Sequence, residues 1–205
     1  MRKDDLLRIK ARAGLIHMFV TIAFLIGAVV LIAGLLGLLF LIFASPERFA
    51  AVKGTIDWSL TFAVNESSNF YMSVPFKIIQ PLDSSMFSAK YALIAYLFSF
   101  LLSFGLILYG IRQVENIATS IMSNDETPFD MNNAKSLKRL AYSIIIYTLA
   151  SDMLATLLCA LVTKIFAFNV SFDFLPGVII GLIVLLIADI FRYGVFLQNE
   201  FDTTL

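Results

Sequence analysis

Four stretches of this chain, at about residues 15–44, 91–111, 140–168 and 174–197, are apolar with few charges. Each is at least as long as the ~20 residues a helix needs to cross ~30 Å of hydrocarbon. A segment in lipid must satisfy its own backbone hydrogen bonds, which favours helices over open sheets or loops. The pattern therefore predicts an all-α integral membrane protein with four transmembrane helices in one domain, residues 1–205, and the lipid bilayer as first partner. A hydrophobic content of 60% and a mean hydropathy of +0.88 agree, since about half apolar is usual for soluble domains. The first stretch is too long for a signal peptide and lacks a small-residue cleavage site, so it reads as a retained helix.

Orientation follows from the basic residues. Arg2, Lys3, Arg8, Lys10, Arg12, Arg112, Lys135, Lys138, Arg139 and Arg192 fall on one side of the spans. Arg48, Lys53, Lys77, Lys90 and Lys164 fall on the other. Lys and Arg near span ends favour the cytoplasm. This places both termini inside, in a multi-pass protein of the cell (plasma) membrane.

The same inventory narrows the chemistry. Formal net charge is zero, which argues against direct nucleic acid binding. His17 is the only histidine and Cys159 the only cysteine, too few for a multi-His metal site or a Ser-His-Asp relay. No catalytic residue, cofactor or metal is expected, and the protein reads as a non-enzyme.

Residues 45–89 form an outer loop between the first two helices. In "TIDWSLTFAV", Ile56, Trp58, Leu60, Phe62 and Val64 alternate with polar positions, and Phe70, Met72, Val74 and Phe76 resume the alternation after "NESSN". Period-two runs around a turn-rich segment predict an extracytoplasmic β-hairpin with one apolar face. An isolated hairpin is marginal, so that face must be covered, here by the helix ends. On the opposite side, Leu108, Ile111, Val114, Ala118 and Ile121 carry helical spacing past the second span. The break at "SNDETPFD" and an N-cap at Asp130 then predict a cytoplasmic helical extension, residues 112–139.

Polar residues inside the apolar runs are the candidate site. Asp152 is placed about 18 Å into the third helix at 1.5 Å per residue, where a carboxylate costs ~2.5–3.5 kcal/mol or more. Ser99 and Ser103 share a face of the second helix at similar depths. The three predict an intramembrane polar clamp. Arg112, Glu115, Asp189 and Arg192 fall near the cytoplasmic level of helices 2 and 4, and predict a charge cluster closing that end of the bundle.

Two short patterns resemble a known family. "TPFDMNNAKSL" supplies Pro128, Phe129, Asn133 and Leu137. The closing "IFRYGVFLQNEFDTTL" supplies Ile190, Phe191, Arg192 and Gly194, then Glu200, Asp202 and Thr204. Together they are similar to the signatures of bacterial four-span membrane proteins of the domain of unknown function family 2975. Thr203 stands where that pattern usually has an aliphatic residue. Members look like membrane partners of small helix-turn-helix regulators, which implies a regulatory or sensory protein holding a cytoplasmic partner. Pro128, Phe129, Asn133, Leu137, Glu200, Asp202 and Thr204 are then the candidate docking residues. The alternative is a small transporter, export accessory or immunity protein using Asp152.

Overall fold

The computed structural model describes residues 3–65, 67–80, 87–123, 130–164 and 172–204. In chain order these form α1 (Lys3–Phe43), a 3₁₀ turn (Pro46–Arg48), β1 (Phe49–Lys53), β2 (Asp57–Ala63) and β3 (Asn69–Pro75). Then follow α2 (Ala89–Ser123), α3 (Met131–Thr163) and α4 (Leu175–Thr204). Among the described residues, all four α-helices are long and apolar enough to cross a membrane. This is a multi-pass membrane protein, mostly helical, with a small sheet between its first two helices.

The helix ends have local causes. Pro46 holds Ser45 extended, at φ −66° and ψ 138°, and α1 stops before it. The N-cap expected at Asp130 is present: its Oδ1 accepts from the Asn132 amide at 3.1 Å. Its carbonyl begins the helical ladder by accepting from the Ala134 amide. At the other end of α3, Lys164 adopts φ 58°, the left-handed conformation that ends a helix. The third helix therefore finishes at Thr163 rather than near 168. Pro176 falls in the first turn of α4, where the missing amide hydrogen is not needed. All four helices run past the apolar stretches, with α1 starting at Lys3, α2 reaching Ser123, α3 starting at Met131 and α4 reaching Thr204.

The expected two-stranded hairpin is a three-stranded antiparallel meander in the order β1-β2-β3. The added strand, "FAAVK", pairs Phe49 with Phe62 and Ala51 with Leu60. Its two alanines and exposed Val52 blur the alternation that marked the other strands. The β2–β3 register, Trp58 opposite Val74 and Leu60 opposite Met72, is the one the two alternating runs demand.

Residue contacts divide the chain into two compact units. The sheet unit comprises Leu31–Phe104 and Leu149–Phe172. Its core gathers Trp58, Leu60, Phe62 and Val74 from the sheet with Leu38 and Leu41 of α1, Leu93, Leu97 and Leu101 of α2, and Ala155 and Cys159 of α3. Trp58 makes edge-on contacts with Phe87 and Phe76, and its indole N–H donates to the Gln80 carbonyl. Thus the apolar sheet face is covered by helix ends. Ile56 and Val64, which flank β2 at the two ends of the alternating run, stay exposed.

The helical unit comprises Met1–Val30, Gly105–Thr148 and Asp173–Leu205. Here α3 and α4 approach at two glycines. A Cβ on Gly177 would meet Thr148 Oγ1, and a Cβ on Gly181 would fall 3.3 Å from the Ala141 carbonyl and closer still to Ile145. Small residues at such crossings let helices pack where lipid supplies no hydrophobic drive.

Candidate functional site

Within the sheet unit, Asp152 does not meet the two serines. Its carboxylate accepts from Lys77 Nζ at 2.6 Å. Lys77 projects from the turn after β3, where Ile78 and Ile79 are buried and both their amides donate to the Pro75 carbonyl. Those two isoleucines anchor the turn, and the lysine between sheet and α3 is the consequence. Ser99 is buried, but its hydroxyl donates to the Tyr96 carbonyl of its own helix at 2.7 Å; Ser103 is buried as well. A serine satisfied within its own turn needs no partner on another helix. The expected clamp of Asp152, Ser99 and Ser103 is therefore an ion pair between sheet and helix instead. Its side chains are 34% and 56% exposed, so the pair is not sealed into the core; where water reaches it, such a pair is worth ~0–1 kcal/mol. The residue missed was Lys77, which in the sequence looked only like part of a loop.

In the helical unit, the expected four-charge cluster is two separate pairs among the described residues. Arg112 donates to Glu115 Oε2, one turn along α2. Thr21 of α1 donates to Glu115 Oε1 at 3.1 Å, and the Arg112 guanidinium lies 5.6 Å from the Phe24 ring centroid. The carboxylate, only 10% exposed, thus has both oxygens engaged, which is the condition for burying a charge without a large penalty. This pair fastens α2 to α1. Gln113 beside it is also buried; Nε2 donates to the Tyr109 carbonyl, while Oε1 has no hydrogen-bond partner among the described residues.

The second pair, Asp189 and Arg192, is an i,i+3 contact at 3.3 Å on α4, with both side chains 64% exposed. It borders a groove of about 340 Å³ lined by Met131, Asp189, Arg192, Tyr193, Val195 and Phe196. Tyr193 and Phe196 stack at 6.5 Å between centroids.

The candidate docking residues separate. Pro128 and Phe129 lie outside the described residues. Asn133 is 1% exposed and Leu137 is half-buried, so both are turned into the unit rather than outward. The face that α3 does present carries Met131, Asn132, Lys135, Lys138 and Arg139, with the Lys138 ammonium over the Tyr142 ring. Glu200 is exposed, and the backbone at Asp202 and Thr204 continues α4 as helix rather than as a frayed tail. Ser120 near the end of α2 donates to Asp130, closing the base of the α2–α3 hairpin. Among the described residues, no group of three or more His, Cys, Asp and Glu side chains is gathered to hold a metal ion.

The sequence model of the family described as "Protein of unknown function (DUF2975)" matches residues 65–205. No curated protein and no solved structure matches the chain.

Proposed function

The chain belongs to the DUF2975 family, and from that premise we propose a non-enzymatic regulatory or sensory protein of the bacterial plasma membrane. It holds a cytoplasmic protein partner of the small helix-turn-helix regulator class. The observation that carries this reading is the persistence of helix beyond the apolar spans at one end of the helical unit. α2 continues to Ser123, α3 begins at Met131 with an exposed Lys135, Lys138 and Arg139 face, and α4 continues to Thr204. Rigid helical ends presenting both basic and acidic side chains are pre-organised for a protein surface, which lowers the ordering cost of binding. Complementary charge adds association rate and selectivity.

Both termini are cytoplasmic in this reading. Four spans return the chain to its starting side, and the bias of basic residues names that side. The transporter alternative loses its main support, because Asp152 is paired with Lys77 and half-exposed.

A photocrosslinking residue at Asn132, in native membranes, tests the proposal. An adduct with a soluble DNA-binding protein is expected there and not from the same residue placed at Tyr71 on β3. Deleting residues 199–205 should leave insertion and thermal stability unchanged, and reduce recovery of that adduct several-fold, less so at higher salt, where the tail's charges are screened. A partner recovered equally well without the tail, or only from Tyr71, overturns the docking surface.

A further inference from the structure

Residues 112–139 lie between the second and third apolar stretches, and there α2 and α3 face each other through polar side chains. Gly110 fixes the facing sides: a Cβ on it would fall 3.0 Å from Ser143 Oγ and 3.4 Å from Leu140 Cδ1 of α3. Gln113, one turn along α2, shares the side of Gly110. On α3, Ser136 and Asn133 precede Ser143 and Leu140 by two turns and share theirs. All three are buried, Gln113 to 3% exposure. Ser120 closes the row by donating to Asp130. Of the buried side-chain nitrogens and oxygens among the described residues, Gln113 Oε1 alone lacks a hydrogen-bond partner. Exchanging the two amide atoms does not help, because it sets Oε1 against the Tyr109 carbonyl that Nε2 now reaches at 3.4 Å.

The other seams of this unit are built differently. α1 meets α2 through Glu115, whose two oxygens accept from Thr21 and Arg112. α3 meets α4 where Gly177 and Gly181 bring the helices close to Thr148 and Ile145. An unmet buried acceptor penalises the closed form, and water repays it once the seam parts. Polar side chains also lose little on exposure, whereas an apolar seam would lose its burial. We propose that the α2–α3 seam is a conformational switch. Two helix pairs, α1 with α2 and α3 with α4, stay fastened and part from each other along residues 112–139. Opening turns Gln113, Asn133 and Ser136 from the interior to the surface, which gives the buried Asn133 of the "PFDMNNAKSL" segment a place in the switch. The switch does not depend on the cytoplasmic-partner reading, and its test needs no partner.

Thiol labelling in native membranes tests it. Ser136→Cys, close in size to the residue it replaces, puts a thiol into the seam, and the buried Cys159 of the sheet core serves as control in the same chain. A membrane-permeant alkylating reagent is applied, and the modification of each cysteine is followed by mass spectrometry. Gln113→Leu replaces the unmet amide by an apolar side chain of similar size. Added to Ser136→Cys, it should slow labelling of the introduced thiol about tenfold, a shift of ~1.4 kcal/mol toward the closed form, and leave the Cys159 rate unchanged. An unchanged or faster rate at the introduced thiol overturns the proposal. Equal slowing at both cysteines overturns it too, because the opening would then be that of the whole protein. Should Gln113→Leu fail to accumulate, Gln113→Met removes the same amide with a more adaptable side chain and is held to the same outcomes.

Discussion

Replacing Trp58 by alanine removes the largest side chain from the core on which the sheet rests. Trp58 is fully buried, with Phe87 at 5.1 Å and Phe76 at 6.2 Å between ring centroids. Truncating a buried Trp to alanine costs ~3–5 kcal/mol through lost transfer energy and the residual cavity. Trp58→Phe keeps a ring in the site and forfeits the 3.3 Å hydrogen bond to the Gln80 carbonyl, worth ~0.5–1.5 kcal/mol. The single tryptophan cannot report its own removal, but the single cysteine can. Cys159 is 0% exposed and belongs to the same core, so an alkylating thiol reagent reaches it only when that core opens. If opening equilibrates faster than labelling, the rate follows the opening constant. At ~1.36 kcal/mol per tenfold, Trp58→Ala should accelerate Cys159 labelling by about two to three and a half powers of ten. Trp58→Phe should accelerate it by about tenfold or less. A Trp58→Ala rate within about threefold of the unmodified protein would refute the reasoning, since the thiol would then be shielded without the sheet.

Three other outcomes are expected. With Cys159 replaced by alanine, a cysteine at Ser68 should react with an impermeant reagent in intact cells and one at Ser123 should not; the reverse pattern would invert the topology and move the docking surface outside. Gly181→Leu should lower the melting temperature in detergent, by overpacking of ~1–3 kcal/mol against Ile145 and the Ala141 carbonyl. Gly37→Ala, where nothing lies within 4 Å of the added Cβ, should match or slightly raise it, and equal effects at the two sites would contradict the α3–α4 packing. Asp152→Asn and Lys77→Gln should each shift stability by no more than ~1 kcal/mol, with the double variant close to either single one. An Asp152→Asn protein that folds normally yet loses function would show that the carboxylate itself is needed.

The apolar runs alone determined that four helices form. Hydrocarbon length and the need to satisfy the backbone are properties of a segment, not of its neighbours. Alternation likewise determined which face of β2 is buried, and Asp130 marked the start of α3, because strand pleat and N-cap act over two to four residues. Partner choice was beyond that reach. Ser99 bonds to its own helix and Asp152 to Lys77, 75 positions away; Glu115 turns to Thr21, 94 positions away, rather than to α4. Asn133, read as a docking residue, is buried. Counting residues along a helix gives depth, but which side faces a neighbour depends on how helices rotate about their axes. That rotation is decided by contacts such as Gly177 with Thr148 and Gly181 with Ile145, made between segments far apart in the chain. The weak strand β1 exists for the same reason: its short, alanine-rich sequence carries little signal, and pairing with β2 supplies the hydrogen bonds that make it a strand.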